Sequence, residues 1–155
     1  MWSNKKSIIL SIGVCLFVIL ALVVLLFFGP MFFRLYMLNY RGYDPAGGEV
    51  ERLGKIFAGA FYPSAVFAGI MLVALLRLLF NIRKGDVFMV QNVKIFKTVA
   101  WCCFAISIIT FICGFFYLPF IAIAAAGVFT GVLLRVLKNV MESAVELRAE
   151  NDLTI

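Results

Sequence analysis

The chain contains no histidine, and its four cysteines, Cys15, Cys102, Cys103 and Cys113, all lie inside apolar runs. Neighbouring Cys102 and Cys103 point in different directions on a helix, so they make a poor metal pair. The thiols read as small buried apolar groups, and no extracellular disulfide framework is implied. Charge is scarce too: 14% of residues are Asp, Glu, Lys or Arg, against roughly a quarter in ordinary soluble chains. None sits in the central part of an apolar run, where proton pumps and ion-coupled carriers usually keep one. HExxH, GxSxG, CxxC and the phosphate loop are all missing. Ser107 and Thr110 have no base in reach and are expected to bond to their own backbone. These absences leave no catalytic, cofactor-binding or metal-binding residue to name, and the chain reads as non-enzymatic.

What the chain does have is apolar surface. Hydrophobic residues make up 65% of the 155 positions, and mean hydropathy is +1.09. A soluble domain of this size buries only about two thirds of its surface, so lipid is the solvent that accepts the composition. The net charge is +6, but the basic residues flank the apolar runs and form no dense stripe. That pattern sets topology and meets lipid headgroups, and direct nucleic acid binding is not expected.

Four runs are long enough to cross a bilayer. The first is uncharged from Ile8 through Phe28 and matches a hydrocarbon core of about 30 Å at about 1.5 Å per residue. It is long for a signal peptide and no small-residue cleavage site follows it, so it is expected to be retained and to end near Gly29 and Pro30. The reading is all-α: a single integral membrane four-helix bundle, residues 1–155, with helices at about 8–30, 56–80, 98–118 and 120–140. A cytoplasmic extension of the fourth helix carries a tail, 141–155. Residues 31–55 form the one sizeable loop, its early part around Phe32, Phe33 and Leu35 staying helical along the membrane surface, with Asp44, Glu49 and Glu51 in a solvated turn or an outer carboxylate cluster, and with Tyr36, Tyr40 and Tyr43 suited to the membrane interface. Pro63 is expected to kink the second helix, Gly85 to stop it, and Pro119 to open the fourth helix after a very tight turn.

Ten of the fourteen Lys and Arg residues lie at the N-terminus, in the 81–97 connection, or at the edges and extensions of the helices on that side. Only Arg34, Arg41, Arg52 and Lys55 lie on the other. The positive-inside rule then places both termini in the cytoplasm. Arg77, the deepest charge, either snorkels to headgroups or shares a lipid-phosphate or partner site with Arg135. Gly127 and Gly131 form GxxxG beside Ala122, Ala126 and Thr130. That face suits packing within the chain or a homodimer.

The cytoplasmic segments carry the remaining pattern. Leu133, Leu137, Val140, Ala144 and Leu147 form one helical stripe that needs covering by the bundle, a second copy or a partner. In the tail, Leu153 and Ile155 alternate with Asp152 and Thr154, a pattern that docks as an added strand or stays disordered. The interaction surface read from these features comprises Arg83, Lys84, Asp86, Phe88, Asn92 and Lys94 from the connection. From the C-terminal segment it takes Glu146, Arg148, Glu150, Asn151, Asp152, Leu153 and Ile155.

The stretch Leu78-Leu79-Phe80-Asn81-Ile82-Arg83-Lys84-Gly85-Asp86-Val87-Phe88, followed by Gln91-Asn92-Val93-Lys94, resembles a motif of an uncharacterised bacterial membrane-protein family. So does the ending Glu146-Leu147-Arg148-Ala149-Glu150-Asn151-Asp152-Leu153-Thr154-Ile155. The family is domain of unknown function 2975, and the resemblance covers nearly the whole chain. Val90 departs from it, standing where relatives often start a helix with serine or threonine. The resemblance implies a small four-helix protein of the bacterial cell membrane. It also implies a cytoplasmic helix-turn-helix transcription regulator as partner, held away from DNA. A membrane-embedded interaction or regulatory protein is the leading reading. The alternative is a small oligomeric transporter, channel or lipid- or amphiphile-binding protein, with a groove between the Pro63-kinked second helix and the small-residue face of the fourth. Membrane lipid and a homo-oligomeric copy are further expected partners.

Overall fold

A computed structural model describes residues 4–44 and 48–153. Four helices account for almost all of them: α1 (Asn4–Asn39), α2 (Glu49–Lys84), α3 (Val90–Gly114) and α4 (Pro119–Leu153). All four are long and apolar enough to cross a membrane, and the protein is a multi-pass, all-α membrane protein. Backbones approach closely only between successive helices, α1 with α2, α2 with α3 and α3 with α4. The result is an open row with antiparallel neighbours. The loop end holds residues 40–44, Gly48 and the α3–α4 turn. The terminal end holds the start of α1, the α2–α3 connection and the end of α4.

The long outer loop expected over 31–55 is mostly helix. α1 runs through Pro30 to Asn39, and α2 begins at Glu49. Proline removes one helical hydrogen bond. Ending the helix there would have unpaired several backbone groups beside lipid, which costs more. Packing secures the added turns. Phe33 stacks on Phe57 with ring centroids 4.3 Å apart and meets Tyr117 edge-on. Met37 is fully buried against Val50 and Leu53. Phe57 and Tyr117 also contact Phe120, so aromatic rings join α1, α2, α4 and the α3–α4 turn at the loop end. Glu51 in this region pairs with Lys55 at 2.8 Å, which holds the Glu51 carboxyl below its usual range.

α2 likewise continues through Pro63. It stops where glycine was expected to stop it. Gly85 adopts φ 94°. Its N–H donates to the Ile82 carbonyl at 3.1 Å, and the Asp86 N–H donates to the Asn81 carbonyl at 3.0 Å. These two bonds are the Schellman pair that satisfies the last turn.

α3 and α4 form the tightest pair. Pro119 begins α4 after a turn of four residues, 115–118, in agreement with the expected tight hairpin. Gly127 lies so close to Ser107 that a Cβ there would overlap the Ser107 hydroxyl, and a Cβ at Gly131 would lie 3.0 Å from the Phe104 ring. The GxxxG face is therefore used inside the chain. Ser107 and Thr110 donate to the Cys103 and Ile106 carbonyls at 2.7 and 2.8 Å, one turn back, as the sequence predicts.

Candidate functional site

The terminal end is assembled around one buried side chain. Asn92 is 0% exposed. Its Nδ2 donates to the Asp86 and Val87 carbonyls at 2.7 and 2.8 Å, and its Oδ1 accepts from Asn81 Nδ2 at 2.8 Å. These bonds tie the first turn of α3 to the last turns of α2 and to the connection between them. The N-cap residue is Met89, one position before Val90, and its side chain makes no cap bond because it carries no oxygen acceptor. Asn92 supplies the missing order from two residues past Val90. Among the residues read as an interaction surface, Asn92 thus supports the connection from beneath and is not itself presented. Arg83, Lys84, Asp86, Phe88 and Lys94 are exposed around it.

The position of the C-terminal segment follows from helix register. Gly114 faces Ile121, Ser107 faces Gly127 and Phe104 faces Gly131. Continued at the same rate, this antiparallel register sets Val90, the start of α3, beside Val145. Residues 146–153 therefore project past α3 by roughly 12 Å. Glu146, Arg148, Glu150 and Asn151 are exposed on that projection. The side chains of Asp152 and Leu153, and all of Ile155, lie outside the described residues. Leu133, Leu137, Val140 and Leu147 are 47%, 49%, 61% and 66% exposed, so the rest of the chain leaves most of the stripe uncovered. Lys138 pairs with Glu142 one turn on.

Two grooves flank the helix row at depths facing lipid. One, of about 610 Å³, lies between α1 and α2 and reaches Ile95 and Thr98 of α3; Arg77 lines it. The other, of about 1000 Å³, lies between α3 and α4 and ends at Arg135. It adjoins a smaller basic cavity of about 390 Å³ lined by Lys97, Trp101, Arg135, Lys138 and Asn139. Two sequence expectations are corrected here. The groove expected between α2 and the small-residue face of α4 does not form, because α3 lies between them and takes the Gly127–Gly131 face. Arg77 and Arg135 line different grooves and build no shared site. Sequence reasoning missed the cluster of Lys97, Trp101, Arg135 and Lys138. Its signal was the spacing of Lys97 and Trp101 by four and of Arg135 and Lys138 by three, which only the hairpin register could bring together.

Among the described residues, no group of three His, Cys, Asp or Glu side chains could hold a metal ion. Neither a curated protein nor a solved structure matches the chain. Residues 40–155 match the family described as protein of unknown function DUF2975, which leaves out all of α1 although the sequence resemblance had extended over nearly the whole chain. With α2, the Asn81–Asn92 connection, α3 and α4 all inside that match, the chain belongs to the DUF2975 family.

Proposed function

We propose that this protein is a membrane-embedded interaction protein that binds and releases a cytoplasmic partner and carries out no chemistry. The observation that supports this most is the projection of α4. Residues 146–153 pass the end of α3 while Val140 and Leu147, on the same stripe, stay exposed. An apolar helical stripe beyond the membrane edge is the form in which helices enter a partner's groove. The excess of Lys and Arg at this end supports a cytoplasmic side for it. The Asn92-braced connection supplies a second, fixed surface beside it. The partner class that the family resemblance suggests is a helix-turn-helix transcription regulator, kept from DNA while it is bound.

Co-purification of the full-length protein with the regulator from native membranes tests this. Binding is expected for the intact chain and is expected to fall at least tenfold when residues 146–155 are removed or when Val140 and Leu147 are both replaced by Glu. Equal capture by intact and truncated chains, or no capture by either, overturns the proposal.

A further inference from the structure

We infer that the α3–α4 face is a binding site for one anionic phospholipid, with an acyl chain in the groove and the phosphate held by Lys97, Arg135 and Lys138. The two cavities share Trp101, Phe104 and Arg135, so the apolar groove opens directly into the basic one. Short of Arg135 at its mouth, the groove's lining is apolar along α3 and α4 except for Ser107, whose hydroxyl is already committed to the Cys103 carbonyl. From Ile121 to Arg135 it extends roughly 21 Å along α4, while one leaflet of hydrocarbon is about 15 Å deep. An acyl chain fits within that length.

The mouth selects the headgroup. Antiparallel register sets Lys97 opposite Lys138 and Ala100 opposite Arg135. Lys138 is neutralised by Glu142, whereas Lys97 and Arg135 make no ion pair among the described residues. Two uncompensated cations therefore converge where a phosphate would lie, and Lys138 with Asn139 supplies further donors. Trp101 is 60% exposed at the same level, the depth at which indole rings sit among headgroups. A neutral hydrocarbon would leave the cations unanswered. A zwitterionic headgroup brings its own cation to them. A soluble anion would leave the groove unfilled. An anionic diacyl lipid satisfies both halves of the site.

Native mass spectrometry of the full-length protein, exchanged into micelles containing phosphatidylglycerol or phosphatidylcholine with identical chains, reads the preference without any substitution. Phosphatidylglycerol is expected to be retained roughly 25-fold better, about fivefold for each uncompensated cation. Combining Lys97→Gln with Arg135→Gln is expected to remove the preference, and Val128→Trp to reduce retention of both lipids. Arg83→Gln with Lys84→Gln, which removes two cations that line neither cavity at the same end, is expected to leave the retention of both lipids unchanged. Equal retention of the two lipids by the unaltered protein overturns the inference. So does an equal loss in the Arg83/Lys84 variant, displacement by glycerol phosphate as effective as that by the lipid, or a second copy of the chain found in place of lipid.

Discussion

Replacing Asn92 by Ala is expected to destabilise the terminal end by about 2–3 kcal/mol. Three hydrogen bonds of 2.7–2.8 Å are lost from a side chain with no solvent exposure, each worth about 0.5–1.5 kcal/mol net. Water reaches the exposed Asp86 more easily than half-buried Val87, which keeps the sum below its upper bound. Asn81→Ala removes only the shared bond and is expected to cost about 1 kcal/mol. In the double variant that bond is counted once, so a coupling of about 1 kcal/mol should appear. Asn92→Asp sharpens the test: it retains the acceptor for Asn81 but turns a carboxylate oxygen toward two carbonyl oxygens. The folded-state pKa of that Asp would be raised. Its protonated, donating form is favoured at low pH, and stability is lost as pH rises through the folded pKa. Reversible unfolding in mixed micelles, followed by helical circular dichroism at several pH values, gives these differences. Hydrogen exchange at residues 86–90 locates them. An Asn92→Ala variant within about 0.5 kcal/mol of the parent, the range of an ordinary surface change, would refute the reasoning, as would an Asn81→Ala cost equal to or above it.

Gly127→Leu is expected to separate α3 from α4 at Ser107 and cost about 3 kcal/mol or more in the same unfolding assay, because even a Cβ overlaps the serine hydroxyl. Gly85→Ala, at φ 94°, is expected to cost about 1–2 kcal/mol from left-handed strain, with faster exchange of the Asp86 amide as the local sign. For orientation, a cysteine at Tyr40, which is 83% exposed, is expected to react with an impermeant maleimide in intact cells. One at Arg148 should react only after permeabilisation. The native thiols are buried or half-buried and give a low background.

The family-like stretch shows how sequence and structure divide the explanation. Gly85 was legible as a helix stop because only a residue without Cβ adopts its φ cheaply. Asn92 had no such local signature. It looked like a surface amide one turn into a helix, and its burial depends on α2 ending so that Asp86 and Val87 carbonyls fold back over it. The extent of α1 was misread for a related reason: Pro30 is a strong local stop signal, and contacts with Phe57, Tyr117, Val50 and Leu53 override it. Those contacts come from residues distant in sequence, so no window around Pro30 contains them.

Membrane residence, the number of helices, the tight α3–α4 hairpin and the helical stop at Gly85 were determined by sequence alone. Each rests on local quantities: the length of an uncharged apolar run, the φ freedom of glycine, the missing N–H of proline. Tertiary structure alone decided which faces meet: that α3 stands between α2 and α4, that the GxxxG face is consumed within the chain, and that Lys97, Arg135 and Lys138 converge at the end of a groove. In lipid every helix face is apolar enough to be left exposed, so hydrophobicity cannot rank the possible neighbours. Close packing at small residues and the register of the hairpin make that choice, and both are properties of two helices together.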